Sequence, residues 1–147
     1  MKKWIEASRL RTLPLSISGI IMGAFIARWR LLGQGQFWDW RIFVLAILVT
    51  LLYQILSNFA NDYGDGVRGT DALRTNEAES RAVASGKISA KEMRRAIVLF
   101  SILSLVATVG LLFITFYPNY WIEFGFFIGL GVACILAAIG YTMGKKP

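Results

Sequence analysis

Apolar residues fall in four long blocks, at about Leu13 to Trp29, Ile42 to Ala60, Ala96 to Tyr117 and Trp121 to Met143, separated by polar and charged stretches. Each block comes near the roughly 20 residues a helix needs to cross hydrocarbon. The pattern predicts an all-α integral membrane protein, with four transmembrane helices in a single membrane domain over residues 1–147. The first block is the shortest and ends in Arg28-Trp29-Arg30, where long basic side chains reach the headgroups by snorkelling. No small-residue cleavage site follows it, so it reads as a span and not as a signal peptide. Trp4, Trp29, Trp38, Trp40, Tyr117, Tyr120 and Trp121 sit at the block ends, as an aromatic belt does.

Composition agrees, with 56% hydrophobic residues and a mean hydropathy of +0.55. The net charge of +7 gains meaning from its placement. With four spans, all sixteen Lys and Arg residues except Arg28, Arg30 and Arg41 share one side of the membrane. That bias places both termini and the loop after the second span in the cytoplasm, and the expected location is a bacterial cytoplasmic (inner) membrane. The charge is therefore topological and lipid-facing, and no basic stripe with stacking aromatics points to nucleic acid. The chain has no His, which excludes His-based triads and the usual zinc and haem sites. The one cysteine, Cys134, falls mid-span and reads as a buried, inert packing residue.

The chemistry gathers where the second block ends, in Asn58-Phe59-Ala60-Asn61-Asp62-Tyr63-Gly64-Asp65-Gly66. If the helix runs one turn beyond the apolar block, Asn58, Asn61, Asp62 and Asp65 share a face. Such oxygen donors suit Mg²⁺, which binds through a couple of carboxylates together with substrate phosphates. Gln54 and Ser57 extend polarity back into the span, either as the wall of a wet pocket or as interhelical hydrogen bonds. Beyond the motif, the glycines at 64, 66 and 69 read as helix breakers, freeing Arg68 and Asp71 to fold back over a ligand. The cytoplasmic loop 61–89 is long and charge-balanced, as functional loops are. Ser89-Ala90-Lys91-Glu92 reads as a capping box that starts the next helix at Ala90.

These residues resemble the intramembrane aromatic prenyltransferases of the UbiA superfamily. Asn61-Asp62-Tyr63-Gly64-Asp65 is similar to that family's first aspartate-rich motif, Asn-Asp-x-x-Asp. Arg81-Ala82-Val83-Ala84-Ser85-Gly86-Lys87-Ile88-Ser89 resembles its downstream Arg-rich, Ser-Gly-x-Ile segment. Tyr141-Thr142-Met143-Gly144-Lys145 fits its Tyr-x-x-x-Lys pattern, and Arg9-Leu10-Arg11-Thr12-Leu13-Pro14 completes the set. The likeness is closest to the menaquinone branch, which joins a polyprenyl group from polyprenyl diphosphate to 1,4-dihydroxy-2-naphthoate, giving demethylmenaquinone.

The resemblance implies that the four spans form the first part of a UbiA-type helical bundle. It implies Mg²⁺ held by Asn61, Asp62 and Asp65 as the catalytic residues, and substrate binding by Arg9, Asn58, Arg68, Arg74, Arg81, Tyr141 and Lys145. Tyr53, Tyr63 or Tyr141 would shield the allylic cation from water. The family carries further helices and a second aspartate-rich motif, so the chain reads as an N-terminal half. Asp71 lies six residues after Asp65, where many relatives place a third aspartate at four. The competing expectations are a catalytically incomplete fragment, or a small transporter or channel subunit using Gln54, Asn58 and Asp62. A CDP-alcohol phosphotransferase is disfavoured because Asp65-Gly66-Val67-Arg68 lacks the rest of that family's aspartate pattern.

Overall fold

The computed structural model describes residues 2–68 and 82–143, with the side chains of residues 68 and 141–143 set aside. A short helix α1 (Lys2–Ser8) leads through a 3-10 turn (Leu10–Thr12) into α2 (Leu13–Gly33), followed by α3 (Trp40–Arg68), α4 (Ala90–Phe116) and α5 (Trp121–Met143). Among the described residues there is no strand, and four helical stretches are long and apolar enough to cross a membrane. The protein is an all-helical integral membrane protein.

Local sequence explains the helix ends. Pro14 lies in the first turn of α2, where a missing N–H costs nothing. Asp39 precedes α3 and takes the Arg41 backbone N–H at 2.9 Å. Ser89 opens α4 with the expected capping box, its hydroxyl accepting from the Glu92 N–H while the Glu92 carboxylate accepts from the Ser89 N–H.

Helix α3 is the hub, packing against α1, α2, α4 and α5. Its 29 residues span about 43 Å at the α-helical rise, well beyond the roughly 30 Å hydrocarbon core. The helix continues unbroken through Gly64 and Gly66 to Arg68, so these glycines do not terminate it as their helix propensity predicts. At Gly66 no side chain would fit: a Cβ there would lie 2.5 Å from Val83 Cγ1.

The packed core sits at this projecting end. Ala7, Leu56, Phe59, Ala82, Ile88, Met93 and Ile97 form one buried cluster, with Ile135 and Ile139 of α5 against it. Phe59 is held edge-on between Trp4 (5.6 Å) and Phe100 (5.1 Å). By contrast, the apolar windows of α2 and α5 have no buried residues. Cys134 accordingly lies exposed on α5, not buried as its sequence position implies.

Candidate active site

Because α3 stays helical to Arg68, Asn58, Asn61, Asp62 and Asp65 do share a broad face, and that face divides into two stripes. Asn58, Asp62 and Gly66 recur every four residues along one; Asn61 and Asp65 are four apart on its neighbour, with position 68 continuing that row. The first stripe is committed to neighbouring backbone. Asn58 is 4% exposed, and its amide donates to the Ser8 carbonyl at 2.8 Å and to Thr12 Oγ1 at 3.3 Å. Asp62 is 2% exposed; its two carboxylate oxygens accept the Ala82 and Val83 N–H groups, each at 3.1 Å. Gly66 then meets Val83 at the close approach already described. Asn61 and Asp65, on the second stripe, are only half-buried.

The bonds of Asn58 bracket Arg9, which adopts a left-handed backbone at φ 50°, ψ 60°. That conformation costs a non-glycine residue roughly 1–2 kcal/mol, and it persists here because both flanks are fastened. The Arg9 carbonyl accepts from the Thr12 N–H and hydroxyl, both at 2.9 Å. The turn breaks α1 from α2 and leaves Arg9 half-buried. Backbone strain of this sort concentrates at functional sites.

Residues 82–88 form a compact turn beside α3. Ile88 N–H returns to the Ala82 carbonyl at 3.0 Å and Gly86 N–H to Val83 at 3.1 Å, with Gly86 at φ +71°, a conformation glycine adopts without strain. Ion pairs Lys87–Glu6 at 2.9 Å and Lys3–Glu92 at 3.4 Å tie this turn and α4 to α1; exposed pairs contribute little individually.

Of the other sequence-predicted site residues, Arg68 is the last residue of α3 and Tyr141 lies in the final turn of α5. The packing of Ile135 and Ile139 brings that end of α5 to the same end of the bundle. Arg74, Arg81 and Lys145, with Asp71, lie outside the described residues. Two polar residues of the α3 span make interhelical bonds. Gln54 accepts from Ser16 at 2.8 Å, while the Tyr53 hydroxyl donates to the Gly131 carbonyl at 3.0 Å and lies 3.3 Å from Thr108 Oγ1. Tyr63 packs on the buried cluster. An open apolar groove of about 370 Å³ between α1, α3 and α4, lined by Trp4, Ile5, Phe59 and Phe100, carries no charged residue.

Sequence reasoning missed Gly66 and the paired amides of Ala82 and Val83. The four-residue recurrence of Asn58, Asp62 and Gly66 was the available signal for the glycine. Among the described residues, no three acidic, Cys or His side chains converge as a protein-only metal cage. The all-oxygen donors of α3 fit instead a hard cation shared with substrate phosphate.

The fold is that of a helical membrane protein whose buried polar residues Asn58 and Asp62 gather at one end of its bundle. The chain belongs to the UbiA prenyltransferase family, whose profile matches residues 20–147. It is 39% identical, over 100% of its length, to a 1,4-dihydroxy-2-naphthoate octaprenyltransferase of Haemophilus influenzae, covering 46% of that protein. It is 38% identical over 98% of its length to the Escherichia coli protein of the same name, covering 44% of it. A Mycobacterium tuberculosis protein of that name is 32% identical over 99% of the chain, again with 44% covered. The chain thus spans about half the length of these relatives. No solved structure matches it at a significant level.

Proposed function

We propose that this chain supplies one half of the active site of a Mg²⁺-dependent aromatic prenyltransferase acting on polyprenyl diphosphate and 1,4-dihydroxy-2-naphthoate. The observation that carries this reading is the extension of α3 beyond its apolar span, which sets Asn61 and Asp65 on one half-buried stripe in a chain similar over its whole length to naphthoate prenyltransferases. Asn61 and Asp65 would hold Mg²⁺ against the diphosphate. The metal supplies charge neutralisation on the leaving group.

Arg9, Arg68, Arg74, Arg81 and Lys145 are the cations proposed to grip diphosphate oxygens, by guanidinium forks or as a point charge. As the allylic carbon–oxygen bond breaks, diphosphate leaves. The naphthoate ring then forms the new carbon–carbon bond and its carboxylate departs as carbon dioxide, giving the demethylmenaquinone skeleton in its quinol form. Tyr141, at the same end of the bundle, is proposed to face the cationic carbon and exclude water. The distribution of Lys and Arg supports a site on the cytoplasmic face of the membrane, proposed to be a bacterial inner membrane.

The test is Mg²⁺-dependent prenylation of 1,4-dihydroxy-2-naphthoate by membranes carrying this chain, alone and joined to the second half of a relative. Activity in the joined form supports the reading. Inactivity of a well-inserted joined protein with every polyprenyl diphosphate tried would overturn it.

A further inference from the structure

Asp62 is the most deeply buried charged residue of the motif, and its surroundings differ from those of Asp65. Both of its oxygens are engaged by consecutive backbone amides, Ala82 on Oδ2 and Val83 on Oδ1, each at 3.1 Å. Two successive N–H groups converging on one carboxylate make an anion-binding concavity of the kind that backbone forms for phosphates. Here the chain's own aspartate occupies it. One turn further along the same stripe, Gly66 meets Val83 so closely that any Cβ would collide with Val83 Cγ1 at 2.5 Å and Cβ at 2.7 Å. The two contacts are independent, one polar and one steric, and both fasten the same dipeptide to α3.

We propose that Asp62 is a positioning residue, not a ligand of the metal or the diphosphate: with Gly66 it latches the Ala82–Ser89 turn onto α3 and thereby sets the wall beside Asn61 and Asp65. The stripe division supports it. Asn58, Asp62 and Gly66 face two backbone segments, the Ser8–Thr12 turn and the Ala82–Val83 turn, to which the two polar side chains are hydrogen-bonded. This inference rests on the proposed prenyl transfer only for its kinetic arm.

The test compares Asp62→Asn, Gly66→Ala and Asp65→Asn in the protein joined to its second half, by amide hydrogen exchange and by steady-state kinetics. Asparagine keeps the shape of aspartate but turns an N–H donor toward a backbone donor, leaving one buried group unsatisfied. Asp62→Asn is expected to speed exchange at the Ala82 and Val83 amides about tenfold or more. It should raise KM for polyprenyl diphosphate severalfold while the Mg²⁺ concentration for half-maximal rate stays unchanged. Gly66→Ala alters no carboxylate and should reproduce both effects. Asp65→Asn should leave the amide exchange as it was.

The latch is refuted if Asp62→Asn leaves the exchange of Ala82 and Val83 unchanged, or if it raises the Mg²⁺ requirement and Gly66→Ala does not. Should no form prenylate, the exchange measurements still decide the latch, and the failure falls on the proposed activity alone.

Discussion

The motif end of the bundle and its mid-membrane flanks are built on opposite terms. At the motif end, α1, the last turns of α3, the 82–88 turn and the start of α4 enclose a continuous buried cluster, and the buried polar groups Asn58 and Asp62 are hydrogen-bonded. Along the flanks, α2 buries no residue, and Phe25, Trp29, Phe126 and Leu136 are largely exposed. Apolar side chains need no partner in lipid, so mid-membrane packing brings little hydrophobic gain. Where the chain emerges toward water, burial is favourable again and orphaned backbone groups must be satisfied. The molecule therefore concentrates its order where its charged residues are.

This contrast can be broken most directly in the packed cluster. Leu56→Ala or Met93→Ala, both at 0% exposure, should each cost about 2–5 kcal/mol, read as a fall in thermal stability in lipid nanodiscs. Phe25→Ala on α2, 53% exposed, should shift it far less, and equal losses would erase the distinction. Next in size is Asn58→Ala, which strips the Ser8 carbonyl of its donor at about 1–3 kcal/mol. The expected readout is faster tryptic cleavage at Arg9 and Arg11, with α3 itself unchanged. Ser89→Ala should remove about 1 kcal/mol by loss of the capping box, and hydrogen exchange should rise in the first turn of α4 alone.

The smallest effect is expected at the opposite end of α3. The Arg41 side chain, and then its backbone N–H, hold the Asp39 carboxyl below its ordinary 3.8. A depressed carboxyl contributes stability that is present above the ordinary value and lost as pH falls through the lowered one. A small stability gap between wild type and Asp39→Asn should thus persist from neutral pH down to the ordinary 3.8 and shrink as pH falls further. A gap that widens in acid would contradict the assignment.

The sequence was readable where its signals are local. Long apolar blocks announced the spanning helices, and Ser89 with Glu92 marked a helix start that the structure reproduces. Reading failed where a partner lies far along the chain. Glycine costs a helix about 1 kcal/mol, so Gly64 and Gly66 looked like breakers; at Gly66 the close approach of Val83, seventeen residues on, leaves no room for a Cβ. Asp62 and Asp65 looked equivalent because spacing cannot show that two amides twenty residues on belong to Asp62. The left-handed turn at Arg9 was hidden for the same reason, its clamp being Asn58.

The central claim is that the half-buried stripe of α3 carries the chemistry and the buried stripe carries the scaffold. The deciding measurement is the Mg²⁺-dependent prenylation rate of Asp65→Asn in the chain joined to the second half of a relative. The account predicts a loss of about 100-fold or more, the scale of a lost charge-stabilising group, with insertion and the core hydrogen exchange intact. An undiminished rate would contradict it.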